Sequence, residues 1–357
     1  MAVERILVVR FRQMGDAVLA TPLLNALRRQ YPEAQIDFVL NGRIAPLFEG
    51  HPAVSRIIAF TDEERHHTLT YINKVWRTVH DCRYDVIIDM RSTVNTMLFA
   101  LFSRRTPFRI GIRKPYTWIA FNHRFEGCED DESMISHNLR LLSPLGISQA
   151  DRAITLSITE KEKADFRAYM QAQGIDFSRP VMLAGVTAKL ASKTWAEDRM
   201  TEVLRRFTEA HPEVQIIFNY APGQEAENAR RIYHRLGDSS AGSDSTGDTR
   251  IFLNIEARSM RQLAAMAANC TFYFGNEGGG RHIVQAMGLP SLVVCSPMAS
   301  KTTWLPENDE VLTRGIAATD IDPQAKEKSS EEQYALITTD RVWAALQDFY
   351  EQIRQKA

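Results

Sequence analysis

The stretch that most constrains the fold of this chain is Ile6–Pro32, because it combines three local signals in one order. It opens with the apolar run ILVV at residues 6–9, which is typical of a strand buried on both faces. A turn containing Gly15 and Asp16 follows, and leucines then recur at helical spacing until Tyr31 and Pro32. This order predicts a strand–turn–helix unit that opens a parallel α/β sheet.

Asp16 lies where this predicted strand gives way to its helix. Ligands of open parallel sheets bind at the carboxyl ends of the strands, so a carboxylate here is a candidate general base facing a cleft. The alternative is an acid that complements the dipole of its helix, which contributes about 0.3–1 kcal/mol to helix stability. The stretch by itself leaves both interpretations open.

The alternation of strand and helix patterns runs through both halves of the chain. At 357 residues the chain exceeds the size at which a single hydrophobic core stops growing. We therefore predict an α/β protein with two Rossmann-like domains facing across a cleft, the first at 1–175 and the second at 176–338. An amphipathic pattern at 339–357 predicts a closing helix, and Ser239–Thr249, rich in Ser, Gly and Asp, predicts a mobile loop.

Charge and cysteine spacing argue against several classes of protein. The formal net charge is −1, which gives no electrostatic reason to expect nucleic-acid binding. The four cysteines are far apart and include no C-x-x-C pair, which argues against a structural zinc site or a disulfide framework and fits a reducing, cytoplasmic setting. We expect no signal peptide and no membrane-spanning segment, because no apolar stretch has the required length and flanks.

The segment between Ser103 and Phe125 is basic and rich in aromatic residues. It contains no acid and six basic residues: Arg104, Arg105, Arg109, Arg113, Lys114 and Arg124. One interpretation is a solvated loop whose aromatic side chains enter the core. The other is a surface for an anionic acceptor or an anionic membrane face, since a basic side chain near such a surface contributes about 1 kcal/mol.

A glycine-rich connection, GNEGGG at residues 275–280, joins a strand pattern to a helical one in the second half of the chain. Glycines let a backbone approach a ligand closely, and a helix N-terminus favours phosphate. The spacing matches neither the dinucleotide fingerprint nor a P-loop. The stretch predicts a phosphate-binding turn, with a connection that merely needs positive φ values as the alternative. His282 lies at the start of the predicted helix. It either donates a hydrogen bond to a phosphate or is an ordinary histidine on the face of the helix.

Two further strand ends carry polar side chains in the same half. Thr187 and Lys193 follow the strand pattern VMLAGV, and hydroxyl and ammonium groups at a strand's carboxyl end suit a diphosphate. Glu225 follows the next strand pattern and is placed to hold ribose or base hydroxyls. Each signal is weak alone, but three such strand ends on one domain predict a nucleotide site.

These motifs together carry a family resemblance. M-G-D-A at residues 14–17, with Pro22 and Leu27–Pro32 after it, resembles the N-terminal motif of family 9 glycosyltransferases, the lipopolysaccharide heptosyltransferases. Lys193–Trp195 is similar to their K-x-W element, and NEGGGRH at residues 276–282 is similar to their N-D-[ST]-G-x-x-H motif. His137 and Leu139–Gly146 resemble the family's mid-chain segment. The resemblance spans nearly the whole chain, in the family's order.

The resemblance implies a GT-B fold and inverting sugar transfer with no metal and no other cofactor. The implied donor is the sugar nucleotide ADP-L-glycero-D-manno-heptose, and the implied acceptor is the core oligosaccharide growing on lipid A. The enzyme would be cytoplasmic and would contact the inner membrane peripherally, at its cytoplasmic face. The first domain would bind the acceptor and the second the nucleotide sugar, and the final helix would cross back to the first domain.

The resemblance also assigns roles by position. Asp16 matches the catalytic base, and Lys193 matches the lysine that binds the diphosphate and supports catalysis. The residues implied to bind the donor are Thr187, Lys193, Glu225, Glu277, Gly278, Gly279 and His282. We expect acceptor contacts from Gln13, Arg109, Arg113 and Lys114, and no metal ligands.

Three residues depart from the family's pattern. Glu277 stands where Asp is usual, Gly278 where Ser or Thr offers a hydroxyl, and Gln13 where Ser is common. Two alternatives therefore stay open. One is a catalytically weak protein that binds sugar nucleotides, and the other is a related transferase that uses another sugar or a protein acceptor.

Overall fold

The structure is a computed structural model that describes residues 3–11, 13–129, 132–237, 250–298, 300–305 and 311–356. The predicted loop Ser239–Thr249 lies outside these residues. The chain divides into two compact units, Met1–Ser157 and Ile158–Ala357.

The first unit contains a parallel sheet. Its strands within the described residues are β1 (Arg5–Val9), β2 (Gln35–Asn41), β3 (Arg56–Phe60), β4 (Val86–Asp89), β5 (Phe108–Ile112) and β6 (His123–Phe125). Their order is β3-β2-β1-β4-β5-β6, and every pairing is parallel. This is the strand order of a Rossmann fold.

The second unit repeats this plan. Its strands are β7 (Val181–Gly185), β8 (Gln215–Phe218), β9 (Ile251–Phe252), β10 (Phe272–Asn276), β11 (Ser291–Val294) and β12 (Thr313–Ile316). The order β12-β11-β10-β7-β8-β9 is the Rossmann order read from the other edge, and its pairings are also parallel. The predicted fold class, α/β with two Rossmann-like domains, is confirmed.

Helices connect the strands. In the first unit they are α1 (Met14–Val18), α2 (Thr21–Gln30), α3 (Asp62–His66), α4 (Thr68–Asp81), α5 (Leu98–Leu101) and α6 (Met134–Arg140). In the second unit they are α7 (Glu160–Ala172), α8 (Glu197–Ala210), α9 (Gln224–Gly237), α10 (Met260–Ala267), α11 (Gly279–Ala286), α12 (Lys301–Trp304), α13 (Ala318–Ile321), α14 (Ser330–Leu336) and α15 (Thr339–Lys356). Short 3₁₀ turns lie at Ala45–Phe48, Thr117–Ile119, Ser143–Leu145, Ala191–Lys193 and Pro323–Glu327.

Apolar strand residues form the core of each unit. Leu7 and Val9 of β1 pack with Val39, Ile87 and Phe99 in the first unit, and all of them are fully buried. This explains the uninterrupted apolar run at residues 6–9, because a central strand of a parallel sheet is covered on both faces. In the second unit, α15 contributes Val342, Leu346, Phe349, Tyr350 and Ile353 to the buried cluster.

The division of the chain differs from the predicted bounds. The boundary falls between Ser157 and Ile158, so α7 belongs to the second unit and not to the end of the first. Phe166 and Met170 of α7 are buried, and the Asn269 amide after α10 donates to the Lys163 carbonyl at 2.9 Å. The helical pattern predicts α7, but it does not reveal which sheet the helix covers. Residues 153–158, which lead into α7, form no strand.

The predicted closing helix is confirmed as α15, Thr339–Lys356, and it packs against α8 within the second unit. Its apolar face meets Phe207 of α8, whose ring lies 5.5 Å from that of Tyr350. Among the described residues, no helix combines the length and apolarity that crossing a bilayer requires.

Candidate functional site

Both sheets have a point at which the strand order reverses. It lies between β1 and β4 in the first unit and between β7 and β10 in the second. Loops diverge there at the carboxyl ends of the strands and leave a crevice, which is where open α/β sheets bind ligands. Most of the predicted site residues follow one of these four strands or their neighbours.

Asp16 lies in the first turn of α1, directly after the loop that leaves β1. Its side chain is almost fully buried, and its Oδ1 accepts a hydrogen bond from Arg10 Nη2 at 3.0 Å. Arg10 is itself buried and donates through Nη1 to the carbonyl of Met90, which follows β4. The guanidinium therefore ties the carboxylate to the strand-order reversal of the first sheet.

Sequence reasoning identified Asp16 but missed Arg10. The one signal for Arg10 is a charged residue placed immediately after a fully buried strand, where a buried charge needs a partner. His137, which the family resemblance had marked, lies nearby on α6, and Met134 on the same helix contacts Arg10 Nη2 through its sulfur at 3.8 Å. Burial lowers the pKa of His137 from its ordinary value.

Cys128, Glu132 and His137 bring potential metal-ligating atoms within 4.8 Å of one another. Arg140 enters this group, because its Nη2 lies 3.1 Å from Glu132 Oε2 and 3.2 Å from His137 Nδ1. A guanidinium already compensates the carboxylate there. The expectation of no metal ligand stays a prediction.

The loop after β4 is a second feature that the sequence analysis did not single out as a site. Asp89 is fully buried, and its Oδ1 accepts hydrogen bonds from the backbone N–H groups of Arg91 and Ser92 at 2.9 and 2.8 Å. Burial raises the pKa of Asp89. Ser92 has a φ of 50°, which is unusual for a residue other than glycine, and this turn is fixed by the Asp89 carboxylate.

The predicted acceptor residues separate into two groups. Gln13 is exposed at the N-cap of α1, and Arg113 and Lys114 follow the carboxyl end of β5. Arg109 lies near the start of β5, and its guanidinium donates to the carbonyls of Arg104 and Ala120 at 2.9 Å. The Arg109 side chain is thus engaged toward the amino end of the sheet, so the structure does not bring it together with the other three.

In the second unit, the side chain of Asn276 connects the ends of β7 and β10 to the loop that carries Lys193. The amide nitrogen of Asn276 donates to the carbonyls of Gly185 and Val186 at 3.2 and 3.0 Å. Its oxygen accepts from the backbone N–H of Trp195 at 2.8 Å. The Trp195 indole is fully buried and donates to the Ile337 carbonyl at 3.0 Å. The tryptophan of the K-x-W element therefore anchors the loop.

The anchored loop places Lys193 beside Glu277. Lys193 Nζ lies 3.1 Å from Glu277 Oε1, while Glu277 Oε2 accepts from the backbone N–H of Ser296 at 3.1 Å. The side chain of Glu277 is 10% exposed and that of Lys193 28%. The pair is thus held at the strand-order reversal, with the ammonium on the more open side.

The glycine-rich connection leads into α11, with Gly278 at its N-cap and Gly279 as its first residue. Among the described residues, no side chain caps this helix, and none has an atom within 4 Å of a Cβ added at Gly278. His282 lies in the first turn, buried beside Arg281, whose Nη2 is 3.1 Å from His282 Nε2. Burial lowers the pKa of His282 well below its ordinary value, and the nearby Arg281 and Lys193 lower it further, so the ring is neutral at pH 7.

Thr187 and Glu225 lie at the neighbouring strand ends of β7 and β8. The Thr187 hydroxyl donates to Glu225 Oε2 at 3.2 Å. The structure therefore brings four of the seven predicted donor residues into two contacting pairs, Lys193 with Glu277 and Thr187 with Glu225. All of them lie at the carboxyl edge of one sheet.

Two glycines allow the central strands of this sheet to pack closely. A Cβ atom at Gly275 would lie 2.4 Å from the carbonyl oxygen of Gly185, and one at Gly185 would lie 2.0 Å from the Tyr273 hydroxyl. That hydroxyl donates to the Asn276 carbonyl at 3.0 Å. Gly275 therefore serves strand packing, in contrast to Gly278, which faces open space.

Comparison with known proteins places this arrangement in a family. The profile of "Glycosyltransferase family 9 (heptosyltransferase)" matches residues 72–335. The chain belongs to glycosyltransferase family 9. The predicted resemblance is confirmed, and the chain is a glycosyltransferase of that family.

A curated relative supports the same assignment across most of the chain. The chain is 21% identical over 314 residues to the lipopolysaccharide heptosyltransferase 3 of Escherichia coli K12, which covers 84% of this chain and 85% of the relative.

Solved structures of the family share the fold. A family 9 glycosyltransferase from Veillonella parvula superposes with a TM-score of 0.81 at 17% identity, covering 99% of both chains. The structure described as E. coli ADP-heptose lps heptosyltransferase II superposes with a TM-score of 0.74 at 18% identity, covering 99% of this chain and 100% of that one. At this identity the likeness establishes the GT-B fold.

Proposed function

We propose that this family 9 glycosyltransferase transfers a heptose from ADP-L-glycero-D-manno-heptose to the inner core of lipopolysaccharide, on an acceptor linked to lipid A. The observation that carries the proposal is the Lys193–Glu277 pair, 3.1 Å apart at the strand-order reversal of the second unit. It supplies an ammonium for a diphosphate and, behind it, a carboxylate for sugar hydroxyls. The names of the relatives, lipopolysaccharide heptosyltransferase 3 and ADP-heptose lps heptosyltransferase II, support the choice of sugar and acceptor.

The donor would lie across the carboxyl edge of the second sheet. Lys193 would bind the diphosphate, and the backbone N–H groups at the start of α11 would face it with the positive end of the helix dipole. His282 is neutral at pH 7 and can donate an N–H without adding charge. Thr187 and Glu225, joined by a 3.2 Å hydrogen bond, are placed for donor phosphate and ribose hydroxyls.

Asp16 would take the proton from the acceptor hydroxyl as that oxygen attacks the anomeric carbon of the heptose. The bond from that carbon to the diphosphate breaks, and ADP leaves with the electron pair, so the configuration at the carbon inverts. Arg10, 3.0 Å from the carboxylate, would hold it in position for this step.

Charge that develops on the leaving diphosphate would be stabilised by Lys193 and the α11 N-terminus. Side chains and backbone dipoles of the second unit can therefore take the part that a metal ion takes in other transferases. We accordingly propose a metal-independent reaction with no cofactor.

The acceptor would be bound by the first unit through Gln13, Arg113 and Lys114, which lie at the carboxyl edge of its sheet. An acceptor linked to lipid A resides in a membrane. We therefore propose that the enzyme works in the cytoplasm, peripherally at the cytoplasmic face of the inner membrane.

One observation favours a second candidate function, a sugar-nucleotide-binding protein with weak catalysis. Gly278 leaves the N-cap of α11 without a side chain, so this position offers no hydroxyl to a phosphate. The backbone N–H groups of the GGG stretch would have to supply that contact. Turnover of a sugar nucleotide by the protein would remove this candidate.

Calorimetric titration of the protein with ADP, UDP and GDP, each with and without EDTA, tests the proposal. We expect ADP to bind most tightly and its affinity to be unchanged by EDTA. A preference for UDP or GDP, or loss of binding on chelation, would contradict the assigned donor and leave the fold untouched. Release of ADP from ADP-heptose in the presence of a lipid A-linked core acceptor then tests the transfer itself.

A further inference from the structure

A cluster of large apolar side chains is exposed at one edge of the first unit. Val94, Tyr116, Trp118 and Ile119, which we call the Trp118 patch, have 61, 37, 65 and 38% of their surface exposed. Three of them lie in or beside the 3₁₀ turn after β5, and Val94 lies in the loop after β4. Isolated exposed apolar residues are common on protein surfaces, but a cluster containing a tryptophan is typical of an interaction surface.

The two loops that form the patch are fixed to each other and to the sheet. The Tyr116 hydroxyl donates to the Ser92 carbonyl at 3.4 Å, and Ser92 Oγ accepts from the Ile112 N–H at 2.7 Å. The Thr117 hydroxyl donates to the Ile112 carbonyl at 3.1 Å. The apolar side chains are therefore presented on an ordered platform that needs little further ordering to bind.

The two loops that carry the patch begin at the carboxyl edge of the sheet that carries Asp16. Lys114 Nζ donates to the Arg91 carbonyl at 3.0 Å, and Arg91 Nη1 donates to the Phe11 carbonyl at 2.7 Å. These two hydrogen bonds connect the carboxyl ends of β5, β4 and β1, and α1 with Asp16 begins only three residues after Phe11.

The charge around the patch is positive. No acidic residue occurs between Asp89 and Glu126, whereas that interval contains Arg91, Arg104, Arg105, Arg109, Arg113, Lys114 and Arg124. The structure places Arg91, Arg113 and Lys114 at the patch, because they follow the carboxyl ends of β4 and β5. Arg113 is 57% exposed and pairs with Glu126 at 2.9 Å. Among the described residues, the starts of these two loops and Glu126 together contribute three cations and one acid.

We infer that the Trp118 patch is the surface by which this protein binds an anionic lipid bilayer. Trp118 and Ile119 enter the interface between lipid head groups and acyl chains, where an amphipathic indole is favoured. Arg113 and Lys114 pair with lipid phosphates. Docking in this way brings the carboxyl edge of the first sheet, and Asp16 with it, to the membrane. The inference rests on the proposed function only in taking the acceptor to be lipid-linked.

Cosedimentation of the full chain with lipid vesicles tests the inference. One set of vesicles is phosphatidylcholine, and the other is an equal mixture of phosphatidylcholine and phosphatidylglycerol. The variants are Trp118→Ser and Ile119→Ser, and the matched control is Leu69→Ser, which removes another exposed aliphatic side chain, 84% exposed, from α4. Circular dichroism and ADP affinity are measured on each variant to verify that it folds.

We expect the wild type and Leu69→Ser to bind the anionic vesicles and to lose that binding at high salt, since exposed charges are screened. Trp118→Ser should weaken binding by about tenfold, and Ile119→Ser by several-fold. Equal binding to both kinds of vesicle, or equal binding by all variants, would overturn the inference. So would a concentration-dependent dimer that Trp118→Ser dissociates, because a second copy would then cover the patch.

Vesicle binding is measured without donor or acceptor, so it is independent of the proposed reaction. A protein that binds anionic vesicles through Trp118 but transfers no heptose would contradict the proposed function and leave the surface assigned. A protein that transfers heptose but does not bind the anionic vesicles would contradict the assigned surface and leave the proposed function supported.

Discussion

The Lys193–Glu277 pair makes a prediction about charge that can be tested with ADP alone. Replacing Lys193 with alanine removes the ammonium from the carboxylate of Glu277, whose side chain is 10% exposed in the wild type. Among the described residues, the backbone N–H of Ser296 is the other donor to that carboxylate. A diphosphate that enters the site then loses a cation and faces an uncompensated anion. Glu277→Gln in the Lys193→Ala background removes that anion and should restore part of the affinity.

Two contributions set the size of the effect. A hydrogen bond to a charged group contributes about 1.5–3 kcal/mol, so Lys193→Ala should weaken ADP binding by roughly 10- to 150-fold. Two unit charges about 6 Å apart at an effective dielectric constant of about 20 repel by about 3 kcal/mol. Water that fills the space left by Lys193 screens this to about 1–2 kcal/mol, so Glu277→Gln should recover roughly 5- to 30-fold.

The assay is calorimetric titration of ADP into the wild type, both single variants and the double variant. Lys189→Ala is the matched control, because Lys189 is an exposed lysine on the same loop. In the wild-type background Glu277→Gln should change ADP affinity less than threefold, since ADP lacks the heptose whose hydroxyls the carboxylate would hold. If Glu277→Gln changes affinity by the same factor in both backgrounds, the two residues do not act on one ligand and the reasoning fails.

Three further predictions concern the base, the acceptor surface and pH. Asp16→Asn keeps a hydrogen-bond acceptor for Arg10 and should lower turnover by about 10²–10⁴-fold. ADP affinity, measured by calorimetry, should stay within a few-fold of the wild type. Near wild-type turnover would show that Asp16 is not the base. The double variant Arg113→Glu, Lys114→Glu should raise the KM for a lipid-linked acceptor, and the increase should be smaller at high salt. Arg109→Glu should mainly lower the melting temperature, since Arg109 donates to carbonyls of its own unit. His51 is buried, and burial lowers its pKa from 6.5 to about 4. Below pH 6.5 the unfolded state therefore binds a proton that the folded state does not bind. The free energy of unfolding falls as pH drops, by about 2 kcal/mol at pH 5. Denaturant titrations at pH 7.5 and 5 should show this loss in the wild type and a smaller one in His51→Gln; an equal loss in both would contradict it.

Local patterns in the sequence predicted the architecture well. The run at residues 6–9 lies in β1, and Leu23, Leu24 and Leu27 are buried on α2, because strand and helix periods are properties of neighbouring residues. Asp16, Thr187, Glu225 and Glu277 each follow a strand, and parallel strands bring their carboxyl ends to one edge. The placement of Asp16 at the carboxyl edge of the first sheet, and of the other three at that of the second, therefore followed from the order of elements.

Features that depend on contacts between distant segments could not be predicted. The covering of the second sheet by α7 depends on residues about a hundred positions later, such as Asn269. The basic residues at 104–124 look equivalent in the sequence, yet the structure turns Arg109 toward carbonyls at the amino end of β5 and leaves Arg113 exposed at the other end. The position of a residue along its strand decides at which edge of the sheet its side chain lies. Strand bounds are the least certain part of a sequence prediction.

The sequence by itself determined the α/β class, the repeated Rossmann plan and the motif residues at the strand ends, because each is written in a short stretch of chain. Only the tertiary structure decided which of those residues touch. The Arg10–Asp16 contact needs the turn between β1 and α1, and the Lys193–Glu277 contact joins residues 84 positions apart through Asn276 and Trp195. Such contacts arise when strands distant in the sequence pair side by side, and that pairing is a property of the folded chain as a whole.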